Sequence, residues 1–251
     1  RPTVLLGHGY PDDHQVWDAV AARLLPRFRV VTWDVRGAGA SARPGGRGAY
    51  RLDQVADDLA RVAAGHSADP VHLIGHDWGS ITGWHAVTRA GAPERFASFT
   101  SVSGPSLPYA GAWLRHAWRR QPQAALRQVA ASSYLGIFQL PHIPERFWRS
   151  GLGRRALGAS GPAHSVDDAV AGLELYRANL GHGGPPRRCA IPVLVLAPRR
   201  DHFVTAPLQL EAPARWTAQL RTAEIDGGHW TFVRRPERLV EPFVEFVDSL
   251  V

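Results

Sequence analysis

The sequence predicts an α/β fold, a mostly parallel sheet flanked by helices, with a block of helices inserted into it. Three observations carry this prediction. Through the first hundred residues short apolar runs alternate with segments of helical periodicity, the pattern of parallel strands joined by crossover helices. Strand signals then vanish between Gly104 and about Arg188 and resume at Ile191. The apolar runs end in Gly or Asp turns, and sites in open α/β sheets gather at the C-terminal ends of strands.

Thr3 to Leu6 is the first apolar run and Arg29 to Trp33 the second; between them Val16, Trp17, Val20 and Leu24 recur at helical spacing. Val55, Leu59 and Val62 mark a second helix ahead of the strand Val71–Ile74. A third begins at about Trp78, and Phe96–Val102 follows as a strand. Beyond Gly104, Trp113, Trp118, Tyr134, Phe138, Phe147, Trp148 and Tyr176 accumulate, while Pro and Gly break the segment into short helices. This reads as a helical cap over 105–187, dividing a core made of 1–104 and 188–251. Ile191–Ala197 and Leu220–Ile225 complete the sheet, and Leu239, Phe243, Phe246 and Leu250 give a closing amphipathic helix. There is no internal repeat and no low-complexity linker.

With 251 residues, 45% of them hydrophobic and 20% charged, the chain is long enough to bury a large core and has a soluble globular composition. One cysteine, Cys189, excludes an internal disulfide and gives no sign of an oxidising compartment. No apolar run reaches the ~18 residues that span a bilayer, and the N-terminus is no signal peptide, so a cytoplasmic location is expected. The net charge of +7 invites a nucleic-acid reading. All 29 basic residues, however, are arginines, scattered along the chain in short pairs, with no basic helix interleaved with stacking aromatics. No nucleic-acid partner is expected. The sequence contains no methionine, which fits a chain trimmed from a longer polypeptide; its oligomeric state is left open.

Pro70 to Ser80 reads as a strand, a sharp turn and a helix start, and Gly75-His76-Asp77-Trp78-Gly79 has the spacing of a nucleophile elbow with Asp in the nucleophile slot. The glycines keep bulk away from a strained turn. A carboxylate needs no base to attack an sp3 carbon that bears a leaving group or a strained ring, and the resulting ester can be hydrolysed by water. A serine in that slot would leave an inert ether. Ser80 has no elbow of its own, because position 82 is Thr.

Two residues are placed to assist Asp77. Asp201 follows the strand Pro192–Ala197, and His229 lies in the loop Asp226-Gly227-Gly228-His229-Trp230 after the last strand. Nucleophile, acid and histidine then follow the chain order of the hydrolase triad, with Asp201 orienting the imidazole. Each has a plainer reading alone, Asp201 as a turn residue and His229 as a structural histidine; elbow, strand-end Asp and loop His in this order favour catalysis. His72, His76 and His202 read as satisfied or exposed histidines. The turn Gly7-His8-Gly9-Tyr10-Pro11 would bring the Tyr10 N–H near the elbow, to form an oxyanion hole with the Trp78 N–H. The same residues read equally as a tight turn with a buried Tyr.

His8-Gly9-Tyr10-Pro11, Asp34-Val35-Arg36-Gly37-Ala38-Gly39, Gly75-His76-Asp77-Trp78-Gly79, Asp201 and Gly228-His229-Trp230 together resemble the α/β-hydrolase-fold epoxide hydrolases. The resemblance covers essentially the whole chain. It is similar in particular to the hydrolase half of bacterial proteins that fuse this domain to a short-chain dehydrogenase. The core motifs are shared with haloalkane dehalogenases, and the cap distinguishes the two. The resemblance implies two cap tyrosines that hold and protonate the epoxide oxygen: Ser132 to Pro141 matches the first motif and places Tyr134 there, and Leu175-Tyr176-Arg177-Ala178-Asn179 matches the second. A phenol with pKa ~10 is protonated at neutral pH and can donate to a developing alkoxide. Two edge strands that precede the His-Gly-x-Pro strand in that family are not included in this sequence, and their loss need not destroy the site.

The resemblance thus implies hydrolysis of a small hydrophobic epoxide to a vicinal diol, with neither cofactor nor metal. The alternatives are a haloalkane dehalogenase, and a non-catalytic module that kept the fold for ligand binding or scaffolding.

Overall fold

The computed structural model describes residues 1–157, 165–181 and 184–250; residues 158–164 and 182–183 of the expected cap, and residue 251, lie outside the described residues. The first half follows the alternation in the sequence. β1 (Thr3–Gly7) leads through a 3-10 turn (His14–Trp17) into α1 (Asp18–Leu24), then come β2 (Arg29–Trp33), α2 (Leu52–His66), β3 (Val71–His76), α3 (Trp78–Val87), the single turn α4 (Ala92–Arg95) and β4 (Phe96–Val102). The helical run expected from Val16 is therefore split: the Asp13 side chain accepts from the Gln15 N–H and tightens the first turn.

Between β4 and β5 the described residues hold helices only: α5 (Leu107–Arg120), α6 (Pro122–Ala131), α7 (Tyr134–Phe138), α8 (Ile143–Arg149), α9 (Leu152–Leu157) and α10 (Val166–Asn179). β5 (Val193–Pro198), α11 (Ala206–Glu211), β6 (Leu220–Ile225), the short α12 (Thr231–Arg234) and α13 (Glu237–Asp248) close the chain. α13 stops before Leu250, which is exposed rather than part of the apolar stripe.

All six strands run parallel in the order β2-β1-β3-β4-β5-β6. β1, β3 and β5 are buried throughout, and β2 and β6, with solvent on one flank, are only partly covered. This is why the inner strands read as unbroken apolar runs. Trp84, Leu59 and Phe99 pack on one face of the sheet, and Trp17, Val20, Phe232 and Phe243 on the other. Gly7 stands opposite Gly75, His76 opposite Val102 and Pro198 opposite Ile225. The C-terminal ends of β1, β3, β5 and β6 therefore share one edge, and the turns leaving them are neighbours. No helix among the described residues is long and apolar enough to cross a membrane.

One inserted helix is tied to the sheet-side loops at both ends. The Tyr10 hydroxyl donates to the Ala169 carbonyl at 2.7 Å, and Asp168 accepts from the Gly39 N–H and pairs with Arg43. At the far end the Asn179 carboxamide accepts from the Leu52 N–H at 2.9 Å and donates to the Tyr50 carbonyl at 2.8 Å. α10 is thereby held at both ends. α7 hangs on it through Arg177, which donates to the carbonyls of Phe138 and Leu140.

Candidate active site

Asp77 sits in the sharp turn between β3 and α3 with φ 49° and ψ −119°, a left-handed conformation that a non-glycine residue adopts only under constraint. The constraint is visible. The Asp77 N–H donates to the Val102 carbonyl at 3.0 Å, and its own carbonyl accepts from Ile81 N–H at 2.9 Å. Glycine is required on both sides of the turn: a Cβ on Gly75 would lie 2.6 Å from the Gly79 carbonyl oxygen, and one on Gly9 would run into the Asp77 side chain. The close approach of Gly9 lets the Tyr10 N–H donate to Asp77 Oδ1 at 2.8 Å.

The loops after β5 and β6 deliver the other two residues. Asp201 accepts from the Phe203 and Val204 N–H groups, so it does cap its own turn, and it also lies 3.0 Å from Nδ1 of His229. The turn reading and the histidine-orienting reading are both satisfied by one carboxylate. Nε2 of His229 points to Asp77 Oδ2 at 3.8 Å, leaving space beside it. All three side chains are buried.

Burial sets the charge states, modified by neighbours. Burial raises the Asp77 carboxyl from 3.8 to about 6, against the pull of His229 and of the Tyr10 and Trp78 N–H groups. Burial also disfavours a charged His229, but the Asp201 carboxylate, helped by Asp77, overcomes it and holds the imidazole above its ordinary value. For Asp201 burial is outweighed by the charge and hydrogen bond of His229, so this acid is held below its ordinary value. The Asp77 shift has a consequence for stability. Its folded pKa lies above its unfolded one, so a penalty on the folded state is absent below about 3.8, grows as pH rises between 3.8 and about 6, and is fully present above about 6. At about 1.4 kcal/mol per pH unit, Asp77→Asn is expected to be stabler than wild type by up to about 3 kcal/mol at pH 8. That difference should shrink towards zero near pH 4, read by thermal melts across pH with the mass checked for an intact amide; a pH-independent difference would refute the buried-charge account.

Tyr134 at the start of α7 and Tyr176 on α10 both face Asp77, with ring centroids 6.2 Å apart. The Tyr176 ring stands edge-on to Trp78 and Tyr10, and Tyr134 packs on Phe203. Burial pushes both phenols up, with Asp77 adding to the effect, so both stay protonated well into the alkaline range. Asp77, Tyr134 and Tyr176 line two cavities at once. One of about 470 Å³ runs past Leu107, Leu114 and Val129, and one of about 200 Å³ is walled by Phe138, Trp148, Phe203 and Trp230.

Two residues at this site were not legible as such. Asp12 is fully buried, takes a 2.8 Å hydrogen bond from Trp230 Nε1, and is raised by burial to about 7. His76, expected to be satisfied or exposed, is fully buried. Its Nε2 contacts the His229 carbonyl at 3.1 Å, while Nδ1 has no hydrogen-bond partner among the described residues and lies 3.8 Å from Asp12 Oδ2. The plain readings of His72 and His202 fit better: His72 bonds Ser98 Oγ at 2.8 Å, and His202 is exposed. The signal for Asp12 was its place directly after Gly9-Tyr10-Pro11, in the turn that faces the elbow.

Comparison with known proteins identifies the fold family. Residues 2–236 match the family model described as alpha/beta hydrolase fold. The probable oxidoreductase EphD of Mycobacterium tuberculosis is 33% identical over 98% of this chain and 46% of its own length. Epoxide hydrolase A of the same organism is 26% identical over 90% of this chain and 61% of its own. The chain thus spans about half the length of the curated relatives it matches. The crystal structure of Bacillus megaterium epoxide hydrolase in complex with an inhibitor superposes with a TM-score of 0.81 at 20% identity, covering 99% of this chain and 94% of that one. The chain belongs to the alpha/beta hydrolase fold family.

Proposed function

We propose that this chain hydrolyses an epoxide to a vicinal diol through a covalent ester on Asp77. The observation that carries the reading is the shared cavity wall: a buried carboxylate with its back oxygen held by a backbone N–H, facing two protonated phenols across a mostly apolar space. Relatives named epoxide hydrolases support it.

In the first step Asp77 Oδ2 attacks the less hindered or more electrophilic ring carbon. The C–O bond breaks and its electron pair moves to oxygen, which takes a proton from Tyr134 or Tyr176. In the second, His229 Nε2 removes a proton from water while Asp201 steadies the imidazolium, and the hydroxide adds to the ester carbonyl. The Tyr10 and Trp78 N–H groups hold the oxyanion. Collapse breaks the ester C–O bond; the leaving alkoxide takes the remaining water proton from the new carboxyl group to give the diol, one water oxygen stays in the Asp77 carboxylate, and the proton held by His229 returns to the phenolate through solvent. Ionisation of Asp77 makes ring opening rise as pH passes about 6, the neutral His229 needed for ester hydrolysis puts the second ascent above the ordinary imidazole value of 6.5, and the raised phenols give no descending limb near neutrality.

The helices between β4 and β5 act in this reading as a cap, residues 105–187, over a core of 1–104 and 188–251. The substrate is a small hydrophobic epoxide, and the reaction is placed in the cytoplasm. The match to less than half of a relative named an oxidoreductase supports a further element: this chain is the hydrolase half of a longer polypeptide whose other half is a short-chain dehydrogenase.

A panel of aryl, aliphatic and fatty epoxides assayed for diol tests the activity. No diol from any of them, or halide release from a chlorinated alkane instead, would overturn it. The cap tyrosines make a sharper test. A hydrogen bond to a developing charge contributes about 1.5–3 kcal/mol, so Tyr134→Phe and Tyr176→Phe should each slow ring opening by roughly ten- to a hundredfold. The double variant should lose much more. A double variant that alkylates Asp77 at the wild-type rate removes the tyrosines from the mechanism.

A further inference from the structure

Behind the small cavity, on the far side of His229, lies an open groove of about 700 Å³ that the proposed reaction leaves unused. Five residues, Ala156, Leu157, Phe203, His229 and Trp230, line both the groove and the small cavity that reaches Asp77. Arg200, Arg234, Arg235 and Arg238 line the rest of its wall together with His202, Gly227, Gly228 and Thr231, and Asp226 pairs with Arg200 and Arg238. Arg200, Arg235 and Arg238 set against the Asp226 carboxylate leave a local surplus of positive charge.

Two members of this cluster, Arg200 and Arg238, are held in place by one carboxylate. Asp226 Oδ1 lies 3.2 Å from Arg200 and Oδ2 lies 3.2 Å from Arg238, so one carboxylate grips two guanidinium groups from different elements. Arg238 also donates to the Asp226 carbonyl at 2.7 Å. The loop so fixed, Asp226 to Gly228, runs directly into His229. Guanidinium forks arranged beside a loop of this kind match the oxygens of a phosphate, and their weak hydration favours contact with such a dianion.

We propose that this groove is a binding site for a phosphate or diphosphate group. The apolar residues it shares with the small cavity, Leu157 and Phe203, fit an anion that is one end of an amphipathic molecule whose other end reaches Asp77. The phosphate then belongs either to the substrate itself or to a separate small molecule that occupies the groove beside it.

Inorganic pyrophosphate, titrated calorimetrically at constant ionic strength, is the first probe. Wild type should show one saturable site, and Arg200→Gln/Arg235→Gln should bind about tenfold more weakly or worse, since each lost contact is charge-assisted. Both side chains are exposed, so the double variant should keep its fold by circular dichroism. Arg119→Gln/Arg120→Gln removes the same charge from an exposed pair at the end of α5 and should bind like wild type. No saturable binding, or equal weakening in both double variants, overturns the site. This arm is independent of epoxide chemistry. A second arm rests on the proposed reaction and compares 7,8-epoxyoctyl phosphate with 1,2-epoxyoctane. If the phosphate is the substrate's, the groove variant should raise KM about tenfold for the phosphorylated epoxide alone. If it is a separate molecule, pyrophosphate should change turnover of 1,2-epoxyoctane in wild type and not in the groove variant. Failure to turn over either epoxide would reject the catalytic reading and leave the binding result standing.

Discussion

Asp77→Ala is expected to form no diol from any epoxide while keeping the fold. The loss should be complete because nothing else near the ring carbon is positioned to attack. Ser80, the nearest hydroxyl in sequence, is buried with its Oγ donating to the Gly104 carbonyl at 2.6 Å. Water alone would have to open the ring against the same barrier without a nucleophile 3.8 Å from His229, and removing a covalent nucleophile ordinarily costs several orders of magnitude. Folding should survive, since the backbone contacts of Asp77 remain and removing its buried charge offsets the lost hydrogen bond from the Tyr10 N–H. Asp77→Asn should likewise start inactive, but can recover if His229 and Asp201 hydrolyse the amide in place. The route itself is read by isotope. In a single turnover in 18O-water, label should enter the Asp77 carboxylate before it reaches the diol. Label appearing directly in the diol on the first turnover would sink covalent catalysis here.

How much of this was legible in the sequence depends on the distance over which each feature is determined. The elbow was legible because its requirements are local: Gly75 and Gly79 must flank a strained residue, and the strand and helix on either side carry their own periodicity. Asp201 and His229 were legible because strand ends and glycine turns mark where loops leave the sheet. The two tyrosines are a different case. Nothing in local chemistry separates Tyr134 or Tyr176 from Tyr109, the third tyrosine of the insert, which also holds five Trp and Phe residues; only the motifs around them did. What places them is the fastening of α10 at Ala169, Asp168 and Asn179 by Tyr10, Arg43, Tyr50 and Leu52, contacts 125 to 159 residues apart in the chain that no local pattern announces.

Asp12 and His76 were missed for the same reason. An Asp two residues beyond Tyr10 and a His ahead of the nucleophile have unremarkable local surroundings. Their character comes from burial beneath Trp230 and His229, which arrive from the other end of the chain. The arginine groove has a related origin. Read along the sequence, Arg199-Arg200 and Arg234-Arg235 are ordinary short pairs, and their convergence depends on the loops after β5 and β6 leaving the sheet side by side.

Replacing His229 separates this mechanism from that of a serine hydrolase. In a serine enzyme the histidine activates the nucleophile, so losing it stops the reaction before any covalent bond forms. Asp77 needs no such help: with a pKa of about 6 it is largely ionised at pH 8, and its Oδ1 is already held by the Tyr10 N–H. In the proposed reaction His229 is required only afterwards, to take a proton from the water that attacks the ester. His229→Gln should therefore open the ring, form the ester and stop. The loss of the imidazolium, which helps keep Asp77 ionised, should shift the pH at which alkylation sets in upward rather than abolish it. Intact-protein mass spectrometry after mixing with an accepted epoxide should show the chain heavier by one substrate mass, the adduct mapping to Asp77. Steady-state diol formation should fall by several orders of magnitude, with a burst of one equivalent of epoxide consumed. An unmodified variant, under conditions where wild type turns over, would falsify this division of labour and return His229 to the role of activating base.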